Sequence, residues 1–586
     1  MVPNFLTPQH FAGFRELFAP KAFTVLSKGY SFDVFKADAT AGLIVAIVAL
    51  PLSMAIAIAC GAKPEQGLYT AIVGGFIISA LGGSRYQIGG PAGAFIVLIV
   101  TTIQIHGYDG FLLATFLAGL FLAAIGLLRL GVYIKYIPLP VRVGFTAGIG
   151  VILLSSQITD LFGLTLPSKE PAAFLPKLEV LFHALPSWNP ATVLVSAVTL
   201  TLIVGIKRYR PGWPSLLIAV VVAALITRVF GLDVETIGTR YGGVPSSLPL
   251  PHMPEISWSK IGAVLPAAAT IALLGGIESL LSAVVADSMT GKRHRSNCEL
   301  VAQGIANCVC ALFGGLCATG TIARTSTNVR AGAVTPVAGM MHSLFLLIFM
   351  LVAAPLASSI PLAALAGILT IVSLNMVQVR EFINAFRRSR GESVVLFTTF
   401  FLTVFRDLTE GIAVGVLLGS LIFMHRMARL VTVETENNFL PDDQPDVLSA
   451  RGALDDMGKD RDILVYHFQG PLFFGATTSV GVILERIGWF PKAVVMDFSS
   501  VPLVDTTGIE TLVAFVQRIQ GHGGTVYVAG APRPVRKALM RCNFPIPNRN
   551  YFSSVETAEE YIRSKRSLAG RVSSGSSRKV VAPATS

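Results

Sequence analysis

The sequence predicts a multi-span α-helical membrane protein that is followed by a small α/β domain. Three observations lead to this fold class. Of the 586 residues, 53% are apolar and only 14% are charged, and the mean hydropathy is +0.66, which is typical of an integral membrane protein. Long apolar runs follow one another closely between about residues 39 and 428. Beyond about residue 432, short β-type runs alternate with helical patterns instead.

The apolar part of the chain divides into fourteen runs, which we number as segments 1 to 14. A complete membrane crossing needs about 20 apolar residues. Segments 3 and 10 are too short for that, and each follows a glycine-rich break. The runs lie near residues 39–59, 67–82, 91–105, 111–129, 132–158, 190–206, 213–230, 261–286, 298–316, 322–330, 333–356, 361–377, 392–406 and 410–428.

The two short segments stand at matching places in two halves of the chain. The break before segment 3 reads GGSRYQIGGPAGAF, and the break before segment 10 reads GGLCATGTIART. Pro51 of segment 1 precedes Pro91 by 40 residues, and Glu278 of segment 8 precedes Arg324 by 46. Paired interrupted segments of this kind are typical of inverted-repeat transporters with a site between the halves. We therefore predict a seven-plus-seven inverted repeat.

Basic residues in the loops predict the topology. Lys and Arg concentrate in the cytoplasmic loops of membrane proteins. Here they follow the even-numbered segments, whereas the opposite loops hold a thinner mixture of both signs. Both termini are therefore expected in the cytoplasm, and the net charge of +12 needs no nucleic-acid partner. The basic residues that follow segments 4, 6, 8, 12 and 14 are Arg129, Lys135, Arg142, Lys207, Arg208, Arg210, Lys292, Arg293, Arg295, Arg380, Arg387, Arg388, Arg390, Arg426 and Arg429.

Two ionisable residues stand inside apolar runs. Glu278 lies in the middle of segment 8, and Arg324 opens segment 10 among threonines. Such residues are costly in hydrocarbon and usually face a cavity, form a pair or line an ion path. A broken helix also leaves backbone N–H groups free to face an anion. We predict a site for a small anion, made of a helix N-terminus, Arg324 and a nearby carboxylate.

The residues leave two interpretations open at each position. Glu278 is either a group that binds and releases a proton during transport or a buried partner for Arg324. Arg324 either holds an oxyanion, which its guanidinium suits, or forms a structural salt bridge. Residues 89–93, GGPAG, either form a cradle of backbone N–H groups or allow close helix packing. The mirrored second break favours the cradle.

Motifs for other chemistry are missing from the sequence. The six cysteines form no CxxC pair and have no histidine at metal-ligand spacing, so we expect no metal site. Walker A, HExxH, GxSxG and Rossmann patterns are also absent. We therefore expect neither an enzyme nor a cofactor. Asp287 is expected to face the basic loop after segment 8 and to have no transport role.

The polar C-terminal part predicts three strands, DILVYHFQG, AVVMDFSS and GTVYVAG, which alternate with helices. With the rest of the chain this gives five regions. They are a cytoplasmic leader (1–37), a membrane domain (38–432), an acidic connector (433–458), the α/β domain (459–567) and a basic tail (568–586) expected to be disordered.

Several stretches together resemble the sulfate permease (SulP) family of anion transporters. They are ALPLSMAIAIACGAKPEQGLY, GGPAGAF, GIESLLSAVVADSMTG and ATGTIARTSTNVRAGAVTP. The stretch VVMDFSSVPLVDTTGIETL resembles a STAS domain, the fold of anti-sigma-factor antagonists. The likeness covers roughly residues 35 to 565, and the order of the stretches makes it specific.

The resemblance implies a core domain that moves against a gate domain, in a homodimer in the plasma membrane with cytoplasmic STAS domains. Segments 3 and 10 would be half-helices whose N-termini meet around the anion. Carried onto this sequence, the anion site consists of Ala92, Gly93, Ala94, Ala323, Arg324 and Thr325. The ion-coupling positions, which would bind H⁺ or Na⁺, are Glu278 and Ser282.

Two departures from the family pattern affect the expected substrate. Many relatives have Gln where this chain has Leu52, and sodium-coupled bicarbonate members have Asp where it has Glu278. The longer Glu favours protons. We expect proton-coupled transport of a small inorganic oxyanion, sulfate first. The alternatives are a bicarbonate or dicarboxylate transporter, sodium-coupled in one version, and a non-transporting membrane sensor with STAS output.

Thr506 lies at the strand-to-helix turn of the STAS-like part, beside Asp505. In the anti-sigma-factor antagonists the hydroxyl at this position is phosphorylated, so Thr506 is a candidate regulatory site. Asp and Thr also serve as helix N-caps, and we favour the cap because it requires nothing else.

Overall fold

The computed structural model describes residues 17–27, 29–131, 138–167, 170–171, 173–210, 212–377, 379–406, 408–435, 463–477, 480–481, 484 and 491–575. The predicted N-terminal leader thus lies partly outside the described residues. The chain divides into two compact units, residues 1–419 and 420–586.

The first unit contains predicted segments 1 to 13 and the first part of segment 14, in the predicted order. In the first half the helices span Phe32–Ala59 (segment 1), Pro64–Tyr69, Thr70–Gly74 and Gly75–Leu81 (segment 2), Gly93–Phe95 and Ile96–Leu127 (segments 3 and 4), Leu139–Ser156 (segment 5), Pro190–Tyr209 (segment 6) and Ser215–Val229 (segment 7). In the second half they span Trp258–Thr290 (segment 8), Ser296–Leu312 (segment 9), Ile322–Arg330 (segment 10), Val337–Ala357 (segment 11), Leu362–Val377 (segment 12), Arg390–Phe405 (segment 13) and Leu408–Ala428 (segment 14).

Shorter helices connect some of these segments, at Ile158–Phe162, Phe174–Ala184, Ile237–Tyr241 and Val379–Arg388. Segments 3 and 4 are separated at Gly107, whose φ of 73° is left-handed and breaks the helix. Within the described ranges, eight helices are long and apolar enough to cross a membrane. These helices and the polar sheet that follows them confirm the predicted fold class.

Segments 3 and 10 begin beside a pair of two-residue strands. Strand β1 (Gly89–Gly90) pairs antiparallel with β2 (Thr319–Gly320). Each strand leads directly into the N-terminus of its half-helix, so the pairing brings the two N-termini together. The two strands leave no space for a side chain at Gly320, because a Cβ there would lie 1.5 Å from Nε2 of Gln87. Only glycine fits there.

The segments pack in two groups. Segments 1–4 and 8–11 pack mainly with one another and form the core group, whereas segments 5–7 and 12–14 form the gate group. Segments 1 and 3 of the core group face segments 12 and 5 of the gate group. The predicted division into core and gate domains thus has a direct counterpart in helix packing.

The second unit contains a five-stranded sheet in the order β3–β4–β5–β6–β7. The strands are β3 (Thr432–Thr435), β4 (Ile463–Gln469), β5 (Ala493–Ser500), β6 (Thr525–Ala529) and β7 (Tyr551–Phe552). The last four are parallel neighbours, and β3 joins β4 antiparallel. Helices Thr506–Gly521 and Arg533–Arg541 pack on one face of the sheet and helix Val555–Gly575 on the other.

Two boundaries differ from the prediction. Strand β3 covers the last residue of the predicted membrane domain and the first three of the predicted connector. Its Thr-Val-Glu-Thr alternation supplies an edge strand, whose partners in β4 lie 31 to 37 residues further along the chain. The last helix continues to Gly575, beyond the predicted end of the α/β domain at 567. The rest of the predicted basic tail lies outside the described residues.

Candidate functional site

A cavity of about 410 Å³ lies between the core and gate groups. Segments 1, 3, 8 and 10 of the core group line one side, and segments 5 and 12 of the gate group line the other. We call it the arginine cavity. Its wall is mostly apolar, and the polar side chains in it are Arg142, Thr146, Glu278, Thr321, Arg324 and Asn375.

Arg324 lies in the first turn of segment 10 and is only 2% exposed. Its Nη2 donates to Oγ of Ser53 at 3.1 Å and to the carbonyl oxygen of Pro91 at 3.3 Å. These contacts fix the guanidinium between segment 1 and the start of segment 3. Its Nε and Nη1 are buried and have no acceptor among the described residues. A buried charged donor without an acceptor is costly, and an anion in the cavity would supply an acceptor.

The guanidinium of Arg324 also lies in space that a side chain at Gly90 of β1 would occupy. A Cβ on Gly90 would lie 2.0 Å from Nη1 of Arg324. The glycine-rich stretch before segment 3 therefore has a specific role beyond helix packing. It makes room for the cation that the second half of the chain contributes.

Glu278 lies in the cavity wall on segment 8 and is half-buried. Within the described part of the chain it forms no ion pair, with Arg324 or with any other residue. The interpretation of Glu278 and Arg324 as a structural salt bridge is therefore wrong for this conformation. The carboxyl group instead faces the same space as the free donors of Arg324.

Two predicted site residues lie behind the wall. Ser282 and Thr325 are fully buried, and Oγ of Ser282 donates to Oγ1 of Thr325 at 3.0 Å. The same Thr325 oxygen accepts the N–H of Ile88, just before β1, at 3.1 Å. These bonds tie segments 8 and 10 to β1. In this conformation Ser282 and Thr325 position the site, and neither of them lines the cavity.

The remaining predicted site residues lie in the wall itself. Ala92, Gly93 and Ala94 start segment 3, and Ala323 lies one residue before Arg324 on segment 10. Ala92 is the N-cap of segment 3 and Thr321 is the N-cap of segment 10. Both helix N-termini therefore point their free N–H groups and positive dipole ends at the cavity. The hydroxyl of Thr321 is buried without a partner among the described residues.

Arg142 is a wall residue that the sequence analysis misplaced. Counted above among the loop charges, it lies in segment 5 and lines the arginine cavity. Its Nε is buried and has no acceptor. Its position inside the apolar run predicted for segment 5 was a signal, but an arginine in the first turn of a segment fits a cytoplasmic loop equally well.

A second cavity, of about 690 Å³, is lined by the opposite ends of segments 1, 3, 5 and 12. Its charged groups are paired, so we call it the paired-charge cavity. Lys177 lies 3.0 Å from Glu170 and donates to Ser156 at 2.7 Å. Nη1 of Arg240 lies 3.0 Å from Oδ1 of Asp160. Each charge here has an acceptor or a donor from the protein.

Two further sequence candidates lie away from the cavity. Oδ2 of Asp287 contacts Nδ1 of His294 at 2.6 Å and accepts the N–H of His294 at 3.1 Å, so it orders the basic loop after segment 8. In the second unit, Asp505 is the cap of the helix that starts at Thr506, because its Oδ1 accepts the N–H of Gly508 at 2.7 Å. Thr506 is exposed at the first helical position.

Comparison with known proteins agrees with this architecture. The family model described as "Sulfate permease family" matches residues 35–399, and the STAS domain model matches residues 456–558. The putative sulfate transporter YvdB of Bacillus subtilis is 40% identical, over 87% of this chain and 94% of that relative.

Two further matches extend the comparison. The bicarbonate transporter BicA of Synechocystis is 30% identical, over 87% of this chain and 90% of that relative. The solved structure of SLC26A9 has a TM-score of 0.81 and 18% identity, over 97% of this chain and 96% of that one. At this identity the structural likeness shows the fold alone.

Proposed function

Because the chain belongs to the sulfate permease family, we propose that it is a secondary active transporter of a small inorganic oxyanion. Sulfate is the first substrate, and protons are the coupling ion. The single observation that carries the proposal is Arg324, a buried cation with two unused donors at the meeting point of two helix N-termini. That arrangement provides positive charge and directed hydrogen-bond donors for an oxyanion.

The anion would bind in the arginine cavity, against the side of Arg324 that has no protein acceptor. Nη1 of the guanidinium, which has no acceptor among the described residues, would donate charge-assisted hydrogen bonds to an oxygen of the anion. The N–H groups at Gly93, Ala94 and Ala323 would supply further donors. The small side chains at these positions leave the backbone accessible, which explains why Ala and Gly occupy them.

Glu278 would carry the coupling proton. Its side chain lies in the wall of the arginine cavity and forms no ion pair among the described residues, so it can exchange a proton with the space that the anion occupies. Loading of a proton and an anion on one face of the membrane, with release of both on the other, would move the anion inward against the membrane potential. Ser282, bonded to Thr325, would hold segment 8 against segment 10 so that both groups move together.

Alternating access would follow from movement of the core group against the gate group. The arginine cavity is lined by the start of segment 5 and the later parts of segments 8 and 12, which the loop charges assign to the cytoplasmic side. The paired-charge cavity is lined by the opposite ends. The conformation described here is then inward-facing. The protein would act as a homodimer in the plasma membrane, with both termini cytoplasmic.

Bicarbonate is the second candidate substrate. It is favoured by the relative BicA, a bicarbonate transporter by name, and by Leu52, which offers the cavity no hydrogen-bond donor. A dicarboxylate, or sodium as the coupling ion, belongs to the same alternative. A sensor without transport has no use for two opposed half-helices, and no observation favours it.

Uptake of radiolabelled sulfate into proteoliposomes tests the proposal. The full-length protein is expected to accumulate sulfate when the outside is more acidic, with or without sodium. Competition by unlabelled bicarbonate and dicarboxylates ranks the substrates. Sodium-dependent bicarbonate uptake without sulfate uptake would establish the second candidate instead, and absence of any anion flux would overturn both.

A further inference from the structure

A second arginine faces the arginine cavity from the gate group. Arg142 lies on segment 5, whereas Arg324 lies across the cavity on segment 10 of the core group. No described residue accepts a hydrogen bond from the Arg142 side chain or forms an ion pair with it, and its Nε is buried. Two cations with unused donors thus line the same 410 Å³ space.

The charges around this cavity can be counted. Among the described residues, Arg142, Arg324 and Glu278 are the only Asp, Glu, Lys, Arg or His side chains in its wall. His342 of segment 11 is fully buried near Arg324 and does not line the cavity. The wall therefore carries one net positive charge when Glu278 is ionised and two when Glu278 is protonated.

We propose that Arg142 is the specificity-determining residue that selects a doubly charged oxyanion, bound together with a proton on Glu278. The proposal rests on the proposed function and names the charge class of its substrate. A divalent oxyanion neutralises the two arginines only when Glu278 is protonated. A monovalent oxyanion neutralises the site when Glu278 is ionised. Charge that stays unbalanced in a cavity with a mostly apolar wall is costly, so Arg142 links the charge of the anion to the proton.

The shapes of the groups support the same conclusion. A tetrahedral oxyanion has four oxygens, so it can accept from Nη1 of Arg324 on one side and, through two other oxygens, from the guanidinium of Arg142 on the opposite side. Bicarbonate has three oxygens, one of them protonated, so it offers fewer acceptors to the two groups. Because one arginine belongs to the core group and the other to the gate group, the divalent anion would also bridge the two groups.

The test removes the charge of Arg142 and keeps the rest of the cavity. Arg142→Gln removes it, and Arg142→Lys retains it without the bidentate geometry. Arg330→Gln is the matched control, because Arg330 is an exposed arginine on segment 10 outside the cavity wall. For each full-length variant, the apparent affinities for sulfate and bicarbonate are measured by competition in exchange assays at equal pH on both sides.

Arg142→Gln is expected to weaken sulfate binding roughly ten-fold to one-hundred-fold, the usual effect of losing charge-assisted hydrogen bonds. Bicarbonate binding should be unchanged or tighter, so the preference for sulfate over bicarbonate should fall or reverse. Arg142→Lys should recover part of the sulfate affinity, and Arg330→Gln should match the parent.

Three outcomes would overturn the inference. Equal weakening of both anions by Arg142→Gln would make Arg142 a general attractor of anions. Unchanged affinity for both would remove it from the site. A parent protein that carries bicarbonate and no sulfate would contradict the proposed substrate itself, which separates that failure from a failure of Arg142. Thermal unfolding of each purified variant identifies any that do not fold, and Arg142→Lys then provides the measurement.

Discussion

The two cavities of the membrane unit differ in how their charges are satisfied. The paired-charge cavity is the larger, at about 690 Å³ against about 410 Å³. Its lysine and arginine are bound by Glu170 and Asp160. In the smaller arginine cavity, Arg324 and Arg142 retain buried donors that have no acceptor among the described residues, and none of the described residues forms an ion pair with Glu278. The proposed site is therefore distinguished by unsatisfied charge and not by cavity size.

The difference has a physical reason. A charged group that already forms an ion pair within the protein binds a ligand only weakly. The pair would have to break first, and the free energy lost in breaking it would offset most of the free energy gained on binding. A charge that the fold holds without a pair is stabilised only when a ligand arrives. The paired charges thus serve the structure, and the unpaired ones serve binding.

The largest effect is expected from Arg324→Gln. The change removes both unused donors and the positive charge, so sulfate affinity should fall about ten-fold to one-hundred-fold or more. Sulfate binding to the purified protein, measured by calorimetry, checks this. Arg330→Gln is the control for charge on the same segment. A folded Arg324→Gln protein that binds sulfate like the parent would place binding on the backbone N–H groups alone.

Glu278→Gln should leave binding largely intact and remove coupling. The amide imitates the protonated carboxyl group, so sulfate exchange at equal pH continues, but an inward proton gradient no longer accelerates uptake. The measurement compares uptake at equal and unequal pH, with and without sodium. If the variant still responds to the pH gradient like the parent, another group carries the proton. If the parent responds to sodium and not to pH, Glu278 helps to bind a cation.

A change in the paired-charge cavity should affect stability and spare anion affinity. Lys177→Met removes the partner of Glu170 and of Ser156, which typically costs about 1–3 kcal/mol. Burial raises the pKa of Glu170 although the Lys177 ammonium opposes this, so without Lys177 the carboxyl group takes up a proton more readily, and this limits the loss. The unfolding temperature should fall while the sulfate affinity stays within about two-fold, as for distant sites. A large loss of affinity would mean that the second cavity also takes part in binding.

The smallest effect on anion binding is expected from removal of the second unit. Because β3 begins at Thr432, the deletion starts after Leu430 and removes the whole sheet. All residues that line the arginine cavity lie before residue 419. Transport rate or abundance should fall, and sulfate binding to the purified membrane part should match that of the full chain. A folded truncated protein that binds no sulfate would contradict the independence of the site.

The order of the fourteen segments was predictable because bilayer thickness sets the length of an apolar run. The location of Glu278 and Arg324 in the wall of a cavity was predictable as well, because an ionisable residue inside an apolar run usually faces a cavity, forms a pair or lines an ion path. Arg142 was not, because an arginine in the first turn of a segment has the composition of a cytoplasmic loop. Only the structure shows that this turn borders a cavity.

The position of Ser282 shows a second limit. Four residues along a helix correspond to 400°, so Ser282 is rotated by about 40° from Glu278. That rotation is enough to move its hydroxyl from the cavity wall to the contact with Thr325. Strand β3 shows a third limit. Its four residues are extended because they pair with β4, and their own composition does not indicate where along the chain that partner lies.

Gly90 joins the two halves of the chain at the proposed site. Because a Cβ at position 90 would lie 2.0 Å from Nη1 of Arg324, any side chain there would force the guanidinium to shift from its contacts with Ser53 and Pro91. A substitution in the first half of the chain would therefore move the cation that the second half contributes, without any change in segment 10 itself.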